Sequence, residues 1–265
     1  MKQTTLALVA SLLLVAACKP ETLTEKTGDF ELNIALLAAG QAFELGTAYQ
    51  NVEGRAYTFD EFKLYIGDLT LVKADGEELK LADAILYDFR TGTANKTTHG
   101  PGVAKLFEVP AGAYKGVKFG VGVPARLNGL DPATYTSSHP LSVSQGTHWT
   151  WATGYIFVKM DGRIDSSAAR TGALSYGLTY HMGTSDLYRE VSYLDADHAF
   201  EVAEGEELQF KLELDVNRFF YNSSDTIDMV TRNITHSTPV GSEAFGLARR
   251  IMDNLVDHAM YKMPF

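Results

Sequence analysis

From about residue 28 onward, apolar and polar residues alternate with period two. Phe30, Leu32, Ile34 and Leu36 alternate with Glu31, Asn33 and Ala35, and Val117, Phe119, Val121 and Val123 alternate with Lys118, Gly120 and Gly122. The run Leu208, Phe210, Leu212, Leu214, Val216 against Gln209, Lys211, Glu213, Asp215 is the clearest of all. Each predicts a strand with one buried face. Turn residues punctuate these runs. Asp75-Gly76 predicts a hairpin between Leu69–Lys73 and Leu79–Leu81, and Pro110-Ala111-Gly112 predicts a second between Leu106–Val109 and Tyr114–Val123. The period changes only after Pro239-Val240-Gly241. There Ser242 can cap a helix whose apolar stripe is Phe245, Ala248, Ile251 or Met252, Leu255 and Ala259, with Glu243 favourable in the first turn. The expected fold is an all-β, antiparallel β-sandwich of the Greek-key or immunoglobulin-like kind, with the C-terminal α-helix packed on it.

The first residues follow a different pattern. Lys2 precedes an apolar stretch, Thr5 to Ala17, that is too short to span a bilayer permanently and reads as a signal peptide. It ends in Leu14-Val15-Ala16-Ala17-Cys18, which resembles a bacterial lipobox, so Cys18 is the expected lipidation site. Several acyl chains, at about 0.8 kcal/mol per buried methylene, hold such an N-terminus on a membrane. Lys19-Pro20 lacks the aspartate associated with inner-membrane retention in enteric bacteria, which favours the outer membrane. The expected organisation is a signal peptide over 1–17, a polar lipid-anchored tether over 18–28 and one β-sandwich domain over 29–265.

Composition narrows the chemistry. With 33 Asp+Glu against 23 Lys+Arg the net charge is -10, which argues against nucleic acid as a partner. A single cysteine excludes an intrachain disulfide, a Cys-rich zinc site and, if Cys18 carries lipid, a blue-copper centre. No Gly-x-Ser-x-Gly, HExxH or phosphate-loop pattern is present, and no acid pair stands out, so an enzyme is not expected. What remains is histidine, methionine and the aromatics.

Both tryptophans of the chain, Trp149 and Trp151, lie in His148-Trp149-Thr150-Trp151. On a regular strand they share one face and fill the core while His148 points the other way, which is the plain structural reading. Further on, Leu174, Tyr176, Leu178 and Tyr180 alternate with Ser175, Gly177, Thr179 and His181, so His181 belongs to the polar face. With Met182 beside it, an imidazole and a thioether become available, a pair that suits copper, although a hydrogen-bonded structural histidine is the commoner outcome.

These segments, with Tyr65-Ile66-Gly67-Asp68-Leu69, Leu86-Tyr87-Asp88-Phe89, Val109-Pro110-Ala111-Gly112-Ala113-Tyr114, Phe119-Gly120-Val121-Gly122-Val123, Gly154-Tyr155-Ile156-Phe157, Tyr180-His181-Met182-Gly183, Asp215-Val216-Asn217 and Thr235-His236-Ser237, resemble the MbnP-like, methanobactin-associated copper-binding family. The resemblance runs from about residue 28 to the C-terminus. It implies an all-β protein of the periplasm or cell surface that binds copper through histidines. It implies further that a tryptophan can be oxidised to kynurenine by a partner di-haem peroxidase of the MauG type. Carried onto this chain, it makes His148, His181 and His236 the candidate ligands, with Met182 beside them, and Trp149 and Trp151 the oxidation candidates.

The remaining histidines carry less. His99 and His139 have loop surroundings, His139 being a possible loop ligand through its closeness to His148, and His258 is expected at the solvent edge of the C-terminal helix. Asp195-Ala196-Asp197-His198 could present carboxylates to Ca²⁺ or Zn²⁺ but reads more simply as a solvated acidic turn. The competing functional class is a metal-free surface module that uses its aromatics on carbohydrate or on another envelope protein. Convergence of His148, His181 and His236 favours copper, whereas scattered rings with an exposed tryptophan platform favour the module.

Overall fold

A computed structural model describes residues 26–90, 102–149 and 154–265. The signal-peptide and lipidation assignments (1–17, Cys18), His99 and Trp151 lie outside the described residues. The alternating segments form strands. In chain order they are β1 (Thr27–Ala38), β2 (Gln41–Ala42), β3 (Tyr49–Gln50), β4 (Ala56–Lys73), β5 (Glu78–Asp88), β6 (Val103–Pro110) and β7 (Gly112–Val121). They continue with β8 (Ile156–Ile164), β9 (Tyr176–Gly183), β10 (Arg189–Tyr193), β11 (Phe200–Val202), β12 (Glu207–Asp215), β13 (Ile234–His236) and β14 (Met260–Lys262). A one-turn helix, α1 (Ala125–Asn128), follows β7, and α2 (Glu243–Asn254) lies near the C-terminus.

Among the described residues the strands make two sheets. One runs β14-β12-β1-β2, with β6 also on β1; the other runs β10-β7-β4-β8-β9-β13, with β11 on β7 and both β3 and β5 on β4. The sheets share one apolar core, in which Phe30, Leu32, Phe59, Phe62, Tyr180, Phe210 and Phe219 are fully buried. Phe62 of β4 meets Phe219 edge-on, with centroids 5.9 Å apart, and the Tyr87 hydroxyl of β5 donates to the Leu32 carbonyl of β1 at 2.9 Å. The all-β sandwich with a C-terminal helix is therefore the architecture. Its sheets are mixed, because β1 pairs with β12 and β9 pairs with β13 in parallel. Parallel neighbours need a long crossover between them, and both pairs join segments far apart in the chain.

The two expected hairpins have different outcomes. At Asp75-Gly76 the chain turns back from β4 into β5, with Gly76 at φ 95° and its N–H on the Lys73 carbonyl at 2.9 Å. At Pro110-Ala111-Gly112 there is no hairpin: β6 pairs with β1, whereas β7 pairs with β4 in the other sheet. The Ala111 N–H bonds instead to the Lys26 carbonyl at 2.8 Å, and Gly112 at φ 150° carries the chain from sheet to sheet. Gly at such a corner avoids the steric penalty that a side chain would bring.

The helix α2 begins where its cap predicts. Ser242 Oγ accepts from the Phe245 N–H at 3.1 Å, and Phe245, Ala248, Ile251, Met252, Leu255 and Ala259 are all buried. The last two fall on a wide π-type turn over Leu255–Ala259 that follows α2, which leaves His258 exposed as expected. The helix packs on β9 and β13, and the buried Thr235 hydroxyl donates to the Ala244 carbonyl. Ser242→Ala is expected to cost about 1 kcal/mol, read as a drop of roughly 2–4 °C in thermal midpoint.

Candidate functional site

Parallel pairing places His236 of β13 directly beside His181 of β9. The two ring centroids are 5.5 Å apart with planes at 62°. Both rings are partly buried, the His181 side chain retaining 16% of its exposure. His181 lies on the outer, polar face of β9, opposite Tyr180 and Leu178, as its alternation predicts. The same alternation turns Met182 the other way. Its side chain is fully buried in the core, so the structure does not bring that thioether to the imidazoles.

Asp161 of β8 completes the pair. Its carboxylate oxygens stand 3.0 and 3.1 Å from His181 Nε2. Burial raises the Asp161 carboxyl, but its hydrogen bond to His181 and the charges of His181 and Lys159 outweigh that and hold it below the usual carboxylate range. For His236, burial first and His181 second lower the imidazole, with Asp161 opposing. His236 is thereby held in the neutral form that carries a ligand lone pair.

The strand ends around this pair are tied together. Ser237 Oγ accepts from the Gly183 N–H at 2.7 Å and donates to the His181 carbonyl at 3.2 Å. Trp149, 4% exposed, lies over Gly183 so closely that a Cβ there would come within 2.6 Å of its ring and within 2.3 Å of the Tyr155 carbonyl. Three segments distant in sequence, around Trp149, His181-Gly183 and His236-Ser237, thus converge at one end of β9. Trp149 fills space as the plain structural reading expects, and with the ring buried there is no exposed platform on this tryptophan.

His148 sits differently. Thr147 to Trp149 pairs with Gly154 to Ile156, the Trp149 N–H reaching the Gly154 carbonyl at 3.2 Å and the Ile156 N–H reaching Thr147 at 2.6 Å. The His148 ring meets Tyr155 edge-on at 5.1 Å. His181, His236 and His148 do not form one three-ligand centre: among the described residues no group of three or more His, Cys, Asp or Glu is arranged to hold a metal. Two imidazoles remain side by side. Nitrogens about 2.0 Å from a shared ion place imidazole centroids roughly 5–6 Å apart, and imidazole donors suit copper. The residues present therefore fit a two-imidazole copper site, with a carboxylate behind one ring.

Sequence reading missed Asp161 and the ion network that continues from it across the sheet. Asp88, Lys63, Lys159, His181 and His236 stand in direct register across β5, β4, β8, β9 and β13. Lys159 reaches Glu61 at 2.8 Å, and Lys63, only 4% exposed, reaches Glu61 at 3.2 Å, Asp88 at 3.6 Å and the Gln145 carbonyl at 2.6 Å. The outward phase of Lys159 and Asp161 was readable from Val158 and Met160; which strand lies beside them was not.

The other candidates have local duties. His139 stacks on Tyr135 at 4.1 Å, and its Nδ1 accepts from the Leu141 N–H at 3.1 Å. Asp195 contacts His198 within a 3-10 turn, in keeping with the solvated-turn reading. Among the described residues no helix is long and apolar enough to cross a membrane.

Comparison with known proteins gives a family-model match, described as MbnP, over residues 27–237. Among solved structures, MbnP from Methylosinus trichosporium is similar in fold, with a TM-score of 0.52 and 22% identity over 76% of this chain and 80% of that chain. No curated protein gives a significant match to the sequence.

Proposed function

Because the chain belongs to the MbnP family, we propose that it is a copper-binding protein of the bacterial cell envelope, a carrier rather than an enzyme, with His181 and His236 as its ligands. The observation that carries this reading is the convergence of three family-like motifs at the end of β9, where two partly buried imidazoles stand 5.5 Å apart. Imidazole is a favourable donor for copper, and two such rings make a sufficient set for Cu(I), which accepts low coordination numbers. Bound copper would supply a redox-active ion; the chain supplies the donors, the surrounding hydrogen bonds and the packing that fixes them. The lipobox-like segment ending at Cys18 supports a lipid anchor, with the outer membrane as its location. Trp149 and Trp151 are the residues a di-haem peroxidase partner would oxidise. Trp149 packs on Gly183, two residues from His181, so modification there would be felt at the ligands.

Competition with a chromophoric Cu(I) chelator tests the site. The wild-type protein is expected to take up one equivalent. His181→Ala and His236→Ala should each weaken binding by roughly thirtyfold, about 2 kcal/mol, with the far-UV circular dichroism unchanged. Unaltered affinity in both variants would remove these residues from the donor set. His148→Ala is the internal comparison, since that ring packs on Tyr155. A loss as large as in the other two would add His148 to the donors. Mass spectrometry of the peptide containing Trp149 and Trp151, taken from native envelopes, reports whether either ring is oxidised.

A further inference from the structure

We infer that Asp161 is the positioning residue of the copper site: its carboxylate holds the Nε2 proton of His181, which leaves Nδ1 as the nitrogen that meets the ion. The inference rests on the copper reading above and goes beyond it by assigning the donor atom and the group that selects it.

Three observations carry it. First, both Asp161 oxygens lie within hydrogen-bond reach of the same nitrogen, Nε2, at 3.0 and 3.1 Å. A carboxylate can only accept, so Nε2 carries a proton, and the form of this ring that meets an ion has its lone pair on Nδ1. Second, the carboxylate is itself held. Its neighbours in register are Glu61 of β4 and Thr179 of β9, and the Lys159 ammonium stands 3.6 Å away while bonding Glu61 at 2.8 Å. That ammonium offsets the repulsion between two carboxylates on adjacent strands and helps hold the Asp161 side chain beside His181. Third, the His181 backbone is fixed from the opposite direction, since its carbonyl accepts from Ser237 Oγ at 3.2 Å. Held at the ring edge by Asp161 and at the main chain by Ser237, the imidazole has little freedom to turn.

A rival arrangement uses Asp161 as a ligand alongside His181 Nε2, because a separation of 3.0 Å also suits two donors on one ion. Donor softness decides against it. Carboxylates favour hard cations such as Mg²⁺ and Ca²⁺, whereas the copper reading relies on imidazole. A carboxylate that accepts from the far nitrogen of a ligating histidine fixes its tautomer and raises its basicity, and removing such a partner commonly costs 10–100-fold in metal affinity.

The experiment uses the intact protein with Cu(I) as the probe, and compares wild type, Asp161→Asn and Asp161→Ala. Asparagine keeps an acceptor oxygen without the charge, and alanine removes both. Asp161 retains 32% side-chain exposure, so both variants should keep the fold, with circular dichroism as the check. Long-range ¹H–¹⁵N spectra of the metal-free wild type should show His181 protonated at Nε2 alone, and in Asp161→Ala the two tautomers should exchange. Cu(I) should shift Nδ1 of His181, not Nε2. Affinity should fall in the order wild type, Asp161→Asn, Asp161→Ala, with the last down by about 10–100-fold.

Protonation at Nδ1 in the metal-free wild type, or a Cu(I)-induced shift confined to Nε2, overturns the assignment. So does equal Cu(I) affinity in all three proteins. Failure of the wild type to bind Cu(I) at all overturns the copper reading instead. It is told apart from the first group because the tautomer spectra need no metal.

Discussion

Gly183→Ala is expected to remove about 3 kcal/mol of stability and to drive Trp149 out of its packed position. The new Cβ would lie 2.3 Å from the Tyr155 carbonyl oxygen and 2.6 Å from the end of the Trp149 indole. The first obstacle is backbone, at the residue just before β8, so no side chain can give way there alone; that segment or β9 must shift. The second is a bulky ring that is 4% exposed, and its displacement forfeits apolar burial as well. Urea denaturation should show a lower midpoint at similar slope, and tryptophan emission should move to longer wavelength as the indole meets water. Gly177→Ala on the same strand is the control, because nothing lies within 4 Å of its Cβ position. That variant should be neutral or slightly stabilising, by about 0.5 kcal/mol at most. An unchanged midpoint and emission in Gly183→Ala would mean that the close packing of Trp149 on β9 does not exist in solution.

Lys63→Met is the second large effect, expected to cost about 3 kcal/mol, the lower end for removing one partner of a buried ion pair. The ammonium is nearly inaccessible, and its loss strips Glu61 and Asp88 of a shared cation and leaves the Gln145 carbonyl without its 2.6 Å donor. The cost stays at the lower end because Glu61 keeps Lys159 at 2.8 Å and Asp88 keeps Arg90 at 2.7 Å. Acid titration adds a sign. Burial raises the Glu61 and Asp88 carboxyls, but the hydrogen bonds and charges of Lys159 and Lys63 on the one, and of Arg90 and Lys63 on the other, hold both below the usual range. A carboxyl depressed in the folded state stabilises the fold above its unfolded value, near pH 4, and that stabilisation is lost as pH falls through the folded value. The wild type should therefore lose stability below about pH 4, and Lys63→Met should show a shallower loss over that range. Arg163→Ala, whose partner Asp60 is 3.1 Å away with both side chains about half exposed, should stay within about 0.5 kcal/mol of wild type. If Arg163→Ala and Lys63→Met cost the same, burial is not what gives the Lys63 network its weight.

The strands, the Asp75-Gly76 hairpin and the Ser242 cap were all legible, because each depends on residues a few positions apart. Corner chemistry at Pro110-Ala111-Gly112 misled, since Pro and Gly mark a change of direction equally well for a hairpin and for a crossing between sheets. Many segments that carry the family resemblance turn out to hold the fold. A Cβ on Gly67 would meet the Gly122 carbonyl and Pro124 at 2.7 Å, and one on Gly122 would meet Phe157 at 2.5 Å. Asn217 takes the Tyr57 hydroxyl at 2.7 Å, and Tyr87 reaches the opposite sheet. Within the candidate site, the outward phase of His181 was readable from Leu178 and Tyr180, and the same phase sends Met182 inward. The partnership of His181 with Asp161 and His236 was not readable, because strand order and register come from pairings between distant segments, which period-two patterning leaves undetermined.

The parallel alignment of β13 with β9 has a consequence for when the two imidazoles can meet. Gly183 and Ser237 meet although they stand 54 positions apart in the chain, and the short β13 is backed by α2. One imidazole is in place once β8 and β9 have paired, but its mate arrives only when β13 and the α2 behind it have docked. A chain whose β13 has not docked is therefore one-handed: of the proposed pair of ligands it presents only His181.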